Sequence, residues 1–521
     1  MKLFLWEGKM NQSKPSKSIR MLNFIEEKGN KLPHPVTIFI IFTLIVIVLS
    51  HILYLMGTSV SFEGVNDETG KLEMLTVKAV SLLLPEGIAY MFSHVVENFT
   101  SFVALGPVLV AMLGVGVAEK SGYISAVMTN TVTKAPRKLV TPIVVLMGVL
   151  SNVAASVGYV VLVPLGAIIF LGFKRHPLAG LSAAFAGVAG GYSANLFLGT
   201  NDPLLSGITT EAANILNATY VVNPTDNWFF MFASTFLIVI IGTIITDKVV
   251  EPKLGKYEPH EPVAEQREIT KLEKKGLRWA NISVVLTVII IALLVIPENG
   301  VLRGEGGSII TSPFMSSIIF IMMLIFLVPG IVYGFVTKTV KNDKDVANLM
   351  ASSLETMAGF IVLIFFAAQF VALFNYTNLG TIIAVKGADL LQVIHLEGGP
   401  LLISLIVITA LINLFIAADS AKWAIMAPVF VPMFMQMGIA PEVTQAAYRV
   451  GDSATNIISP LMPFFPLIVA FAQRYGKKNG VGTVISLMLP YSIIILICWS
   501  IFFAIWYLLG IPFGPGTSLT Y

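Results

Sequence analysis

Ser151-Asn152, followed by Ser193-Ala194-Asn195-Leu196-Phe197-Leu198-Gly199-Thr200-Asn201-Asp202, and Ala418-Asp419-Ser420, followed by Gly451-Asp452-Ser453-Ala454-Thr455-Asn456, read as one device built twice. Each set of small polar residues interrupts apolar runs, the first within 140–205 and the second within 401–465. Unwound backbone at bilayer depth persists only where protein or a water-filled cavity satisfies it. A duplicated pair of such breaks is the mark of a secondary transporter whose binding site lies at the repeat interface.

The rest of the chain suits that setting. Of its 521 residues 56% are hydrophobic and 12% charged, against roughly 25% charged in soluble domains. The reading is an all-α polytopic membrane protein with no nucleic-acid partner. A single cysteine, Cys498, excludes a disulfide framework. Residues 1–32 are polar and lysine-rich and read as a cytoplasmic tail, not a cleavable signal.

Apolar runs of about 20 residues mark spanning helices, here at 35–56, 99–117, 228–246, 279–296, 313–336, 350–374 and 483–509. Lys/Arg-rich short loops mark the cytoplasmic side. That rule puts the N-terminus inside, the acidic loop 57–98 outside and the basic linker 247–278 inside, between halves 33–246 and 279–521. Stretch 139–173 has basic residues at both ends and reads as a hairpin re-entering from the cytoplasm, its tip at Ser151–Ser156. Its counterpart, 401–437, is flanked by Glu397 and Glu442 and reads as re-entering from outside, its tip at Ala417–Lys422. Two ordinary full spans are the alternative, but arms of 13 and 17 residues are short for that. A broken helix follows each hairpin, at 177–210 and 442–473. The expected count is about nine spans and two re-entrant hairpins in inverted repeats.

Advancing the first hairpin by 264 positions superposes Ser156 on Ser420, Pro164 on Pro428, Pro177 on Pro441 and Gly187 on Gly451. After a three-residue gap Asn195 falls on Asn456, and upstream Gly122 matches Gly380 at a shift of 258. Inverted repeats permit two pseudo-equivalent states, the basis of alternating access.

A charge at the centre of a span costs roughly 2.5–3.5 kcal/mol on insertion scales. Asp202, Asp419, Lys422, Arg449 and Asp452 all fall near the breaks. Arg449 and Asp452, three apart, share a helix face and read either as a self-contained ion pair or as a binding pair. In the second case the guanidinium fork takes a substrate carboxylate and Trp423 offers a stacking surface. Hard cations want oxygen ligands. Ser151, Asn152, Asn195 and Thr200 supply one sodium candidate, and Asp419, Ser420, Thr455 and Asn456 its mirror; helix capping is the plainer role for all of them. A proton route through the aspartates is the other coupling scheme, and no cofactor is expected. His94, His176 and His395 form no metal-ligand cluster. Leu113-Gly114-Val115-Gly116 lacks the Lys-Ser/Thr of a nucleotide loop, and no nucleophile–base pattern suggests an enzyme.

Three segments carry a resemblance: Asp419-Ser420-Ala421-Lys422-Trp423-Ala424-Ile425-Met426-Ala427-Pro428, Ala447-Tyr448-Arg449-Val450-Gly451-Asp452-Ser453 and Asn456-Ile457-Ile458-Ser459-Pro460-Leu461-Met462-Pro463. With Val110–Gly122, they resemble the AbgT (aminobenzoyl-glutamate transporter) family of the ion transporter superfamily over nearly the whole length. The resemblance implies a bowl-shaped homodimer in the bacterial inner membrane. It implies transport of p-aminobenzoyl-glutamate, with sulfonamide export by some members. By motif position it places the functional residues at Asp202, Asn413, Ser420, Trp423, Pro441, Arg449, Asp452 and Pro460. One departure is that the family tip Ser-Asn-x-Ala-Ser-Asp ends here in Ala155-Ser156, which bears on the coupling ion. The rival within this class is a sodium–dicarboxylate symporter, which a second substrate-facing cation would favour. A passive channel is the rival outside it.

Overall fold

Long runs of Leu, Ile, Val and Phe have one way to satisfy their own backbone in lipid, which is to coil into helices. The computed structural model describes residues 33, 35–65, 72–103, 105–133, 136–153, 158–257, 269–309, 312–355, 357–393, 397–416, 418–460, 462, 464–476 and 479–521. Among these, six helices are long and apolar enough to cross a bilayer: Val36–Leu55, Trp228–Leu254, Lys271–Val295, Ile318–Thr337, Ala358–Tyr376 and Val481–Leu508. Two bent pairs, Leu105–Lys120 with Tyr123–Thr133 at 57° and Leu379–Val393 with Gly398–Asn413 at 116°, bring the number to eight if each is one span. Leu44, Val48, Ile289, Leu293, Ile497 and Ile501 stand exposed on the outer faces, where lipid is as good a neighbour as another helix.

Several boundaries differ from the expectation. The span expected at 99–117 begins at Leu105 and bends at Ser121-Gly122, where Gly122 takes φ +89°; Phe99 belongs to a separate short helix, Val95–Thr100. The span expected at 350–374 merges two helices. Asp343–Glu355 is amphipathic and lies on Leu105–Lys120, with the Ser353 hydroxyl bonded to the Met112 carbonyl at 3.0 Å; Ala358–Tyr376 follows. Linker 247–278 is helical at both ends. Trp228–Leu254 continues through its charged residues, and Lys271–Val295 starts on a Thr270/Glu273 capping box. Charge outside the bilayer does not end a helix. The chain is also not wholly α: Ser59–Val65 and Leu72–Lys78 pair antiparallel, with Val60 and Phe62 buried. That hairpin ends at Lys78, ahead of the short helix Pro85–Ser93. The tail 1–32, Ala155 and Ser156 of the first tip and Ala417 of the second lie outside the described residues.

The duplication is plain in the backbone. The first unit runs Val140–Ser151, then Gly158–Leu162 continuing as Val163–Gly172, then Pro177–Phe185 with Ala186–Gly190, an unwound stretch, and Asn201–Ala213. The second runs Gly398–Asn413, Asp419–Met435, Pro441–Asn456, a break, and Phe465–Gln473. Both hairpins end in the same cap. The Arg175 and Lys174 N–H groups donate to the Phe170 and Leu171 carbonyls, and those of Ile439 and Gly438 to Phe434 and Met435, each 264 positions on. Lys174 (φ +59°) and Gly438 (φ +74°) supply the left-handed residue that this cap requires. Deeper down, a Cβ on Gly187 or Gly451 would stand 2.3 Å from the carbonyl oxygen of Val145 or Ile406, so each broken helix touches its hairpin's first arm, backbone to backbone.

Two sequence matches fail structurally. The left-handed residue at the second bend is Asn378 (φ +58°), not Gly380. Gly380 lies inside Leu379–Val393 and is kept small by Ile215, 2.9 Å from where its Cβ would be. Asn195 sits in unwound chain, whereas Asn456 ends a helix.

Candidate functional site

Four buried charges meet where the broken helices cross, paired differently from the helix-face expectation. Arg449 does not pair with Asp452. Its Nη1 donates to Asp202 Oδ1 of the other unit at 2.8 Å. Asp452 Oδ1 instead accepts from Lys422 Nζ at 2.5 Å, with the two side chains 0% and 1% exposed. Lys422 begins the second hairpin's second arm, and its ammonium also donates to Asn413 Oδ1, which closes the first arm. The Asn413 amide donates to the Asp452 carbonyl (2.7 Å), Thr455 Oγ1 (2.9 Å) and Asn456 Oδ1 (2.9 Å). A buried pair of this kind is held by geometry, and removing one partner costs about 3–5 kcal/mol.

Arg449 is incompletely used. Its Nε and Nη2 are buried with no hydrogen-bond partner, while Nη1 also approaches Met231 Sδ at 3.1 Å. Buried polar atoms are nearly always paired, so an exception calls for a reason. Asp202 is fixed from behind by the Gly199 N–H at 2.6 Å, at the first turn of Asn201–Ala213. A carboxylate is favoured at that helix end.

Trp423 is wholly buried, so it presents no open stacking face. Its indole lies 4.4 Å from the Tyr448 ring, and its N–H donates to Thr209 Oγ1 at 2.9 Å. A relay continues from the Thr209 hydroxyl to Gln445 Oε1 (2.6 Å), from the Gln445 amide to Asn227 Oδ1 (2.9 Å), and from the Asn227 amide to the Glu442 carbonyl (2.8 Å). Tyr448 donates to the Asp419 carbonyl at 2.6 Å and Tyr192 to Asp419 Oδ2 at 3.1 Å. Lys422's pairing, Thr209, Gln445, Tyr448 and Tyr192 were not found from sequence. Gln445 carried a signal, since it lies four before Arg449 on one helix face. Ser420 is half-buried beside Asp419; Pro441 opens its helix, and Pro460 lies in the break that follows.

At the first tip, the Asn152 amide donates to the Gly191 carbonyl at 3.3 Å and the Asn195 amide to Val149 at 3.4 Å, joining the hairpin to the unwound stretch. Gly199 packs against the Asn152 backbone carbonyl. Ser151 turns its hydroxyl back to Gly148, and Thr200 makes no side-chain cap bond. Asn152 Oδ1 is buried and has no partner. Amide and carbonyl oxygens of this kind suit a hard cation. No cluster of three His, Cys, Asp or Glu capable of holding a metal occurs among the described residues.

Two cavities flank this core. One of about 600 Å³ lies at the first bend, lined by Gly122, Ser125, Thr129, Pro164, Thr270 and Thr337 among others. A smaller one of about 270 Å³ lies at the second bend, between Tyr90, Glu211, Asn375 and Tyr376. Neither reaches the ion pairs, which are occluded.

At the base of the second unit, burial pushes the Asp226 carboxyl up to about 7; the Asn223 N–H opposes this and the nearby Glu442 charge adds to it. At the base of the first, Arg175 is bound to Asp247 at 2.6 Å, to Glu251, and to the Thr141 hydroxyl at 2.7 Å.

The model of the AbgT transporter family matches residues 20–521. The chain belongs to the AbgT family. The p-aminobenzoyl-glutamate transport protein of Escherichia coli (strain K12) is 39% identical over 502 residues, covering 96% of this chain and 97% of that one. Among solved structures, the YdaH transporter of Alcanivorax borkumensis aligns with TM-score 0.88 and 42% identity, over 93% of this chain and 100% of that one. MtrF of Neisseria gonorrhoeae, described as illuminating a class of antimetabolite efflux pumps, aligns with TM-score 0.89 and 51% identity, over 96% and 100%. The AbgT fold and a transporter function, not an enzymatic one, are therefore established for this multi-pass membrane protein.

Proposed function

We propose that the protein is a secondary-active carrier of p-aminobenzoyl-glutamate or a related aryl-glutamate anion, coupled to a sodium or proton gradient. The observation that carries this is the pair of unpartnered Arg449 nitrogens, Nε and Nη2, which form one edge of a guanidinium fork suited to a carboxylate. The name of the Escherichia coli relative supports the aryl-glutamate class. The second cation in the core, Lys422, is engaged by both Asp452 and Asn413, whereas Arg449 keeps an open edge beside its Asp202 bond, which favours a single carboxylate over a dicarboxylate. Contact between a substrate ring and Trp423 requires Tyr448 and the second hairpin to move.

Sulfonamide export is a further activity compatible with the same residues. The coupling cation would draw on Asn152 Oδ1 with oxygens from Ser151, Asn195 and Thr200. The protein would sit as a homodimer in the bacterial inner membrane, N-terminus inside, its hairpins re-entering from opposite faces. With that orientation the larger cavity lies on the lysine-rich cytoplasmic side.

Uptake of labelled p-aminobenzoyl-glutamate into proteoliposomes, under imposed sodium or proton gradients, tests this. Arg449→Ala and Trp423→Ala are expected to abolish uptake while inserting normally. Normal uptake by Arg449→Ala would refute the carboxylate-anchor role, and counterflow separates a carrier from a channel.

A further inference from the structure

The cavity of about 270 Å³ at the second bend has an acidic side chain in its wall and no counter-ion for it. Glu211, on Asn201–Ala213, lines the cavity. Its Oε1 accepts from the Val103 N–H at 2.9 Å, and among the described residues no lysine, arginine or histidine side chain pairs with the carboxylate. A carboxylate within a membrane protein is costly, and it is normally balanced by a cation or turned to a cavity that receives one. Asn375, near the end of Ala358–Tyr376, lines the same cavity, and its Oδ1 is buried with no hydrogen-bond partner among the described residues. The Asn98 amide, a donor in that wall, is already given to Gln369 Oε1 at 3.0 Å. Phe102 and the rings of Tyr90 and Tyr376, stacked with centroids 4.1 Å apart, supply carbon surface.

We propose that this cavity binds a primary alkylammonium group, its N–H bonds shared between the Glu211 carboxylate and Asn375 Oδ1 and its carbon body set against the Tyr90 and Tyr376 rings. Two acceptors short of donors ask for a ligand that is positively charged and carries N–H groups. A quaternary ammonium would satisfy the charge and the rings, but it would leave Asn375 Oδ1 unpaired. A bare hard cation takes about six oxygen ligands, whereas much of this wall is carbon. The volume is several times the roughly 30 Å³ that one water occupies, which suits an organic ion. The ammonium group comes either from a free amine or from the ethanolamine headgroup of a phospholipid. This site is separate from the Arg449 fork and takes the opposite charge, so it goes beyond the carrier reading and does not depend on it.

The probe is ethylammonium chloride, titrated calorimetrically at pH 8 into purified full-length protein in phosphatidylcholine nanodiscs, with sodium and ionic strength held constant. Saturable binding is expected, with tetramethylammonium weaker by roughly 10-fold or more. Glu211→Gln keeps an acceptor for the Val103 N–H and should weaken ethylammonium by roughly 10-fold or more. Asn375→Leu should weaken it by roughly 3- to 10-fold. Thermal unfolding of Asn375→Leu should stay near the parent's, because no bond to Oδ1 is lost. A parent without saturable binding overturns the proposal, as does undiminished binding by either variant or equal affinity for tetramethylammonium. Should Glu211→Gln misfold, Asn375→Leu decides alone. Adding phosphatidylethanolamine to the nanodisc separates the two sources. Loss of ethylammonium binding by competition assigns the site to the lipid headgroup, and unchanged affinity assigns it to a free amine.

Discussion

The first and second hairpin units share their backbone and differ in what they hold. The capping pattern and the close approach of Gly187 and Gly451 to facing carbonyls correspond position for position. At the tips the correspondence stops. Asn413 is fully engaged and sits on an ion pair, whereas Asn152, among the described residues, donates one long bond and leaves its oxygen unpaired. The bends differ too, with about 600 Å³ of cavity at the first and about 270 Å³ at the second. Duplication has preserved the positions that set main-chain geometry, while the polar contents have diverged. Two-state symmetry needs only the former.

The largest effect is expected where the units are joined. Among the described residues, Arg449–Asp202 is the ion pair that crosses from one broken helix to the other. Asp202→Asn strands a buried guanidinium, and a loss of about 3–5 kcal/mol of stability is expected, with uptake abolished. Unchanged thermal unfolding of Asp202→Asn would show that the pair is solvated and the units are not locked through it.

The tip comparison comes next. Asn413→Ala removes both N–H donors of the amide, shared among three acceptors, and an acceptor of the Lys422 charge, and should cost about 2–4 kcal/mol, since bonds to charged groups are the stronger ones. Asn152→Ala loses one 3.3 Å bond and should cost less than about 1 kcal/mol in sodium-free solution. Equal losses in paired melting curves would erase the asymmetry.

That asymmetry also marks where sequence reading ran out. The breaks were legible because Ser, Asn, Asp and Thr interrupt runs that are otherwise apolar, and polar backbone in lipid has few solutions. The register was legible from Pro177/Pro441 and Gly187/Gly451. Which charge meets which was not. Arg449 and Asp452 are helix neighbours, yet their partners come from 247 and 30 residues away, set by the packing of four segments that no local spacing encodes. Thr209, Gln445 and Asn227 look like ordinary polar residues until Trp423 is placed beside them. The strand pair at 59–78 carries a weak signal of its own, Val60 and Phe62 alternating with polar neighbours at period two.

The bases of the units offer a gentler contrast. Arg175 holds two carboxylates at the first, whereas Asp226 and Glu442 approach each other at the second. The Asp226 carboxyl is raised to about 7, so its contribution to stability is full below the ordinary carboxylate range, near 4. That contribution is lost as pH rises through 7. The parent should therefore unfold at lower temperature at pH 8 than at pH 6. Asp226→Asn should flatten that difference, whereas Arg175→Gln should leave its slope intact. A parallel shift in both variants would mean that another group carries the pH response.

The smallest effect is the cleanest check of the shared backbone. Lys174 and Gly438 occupy the same cap position with positive φ, at +59° and +74°. For an L-residue this region costs about 1–2 kcal/mol, and glycine avoids most of it. Lys174→Gly should then stabilise the protein, by roughly 0.5 kcal/mol once glycine's greater freedom in the unfolded chain is subtracted. Gly438→Ala should destabilise it by roughly 1 kcal/mol. Nothing lies within 4 Å of where the new Cβ would stand, so the second change reads backbone strain with no packing contribution. Opposite signs are required if the two caps are equivalent; matching signs would mean that the repeat holds in hydrogen-bond pattern but not in conformational energy.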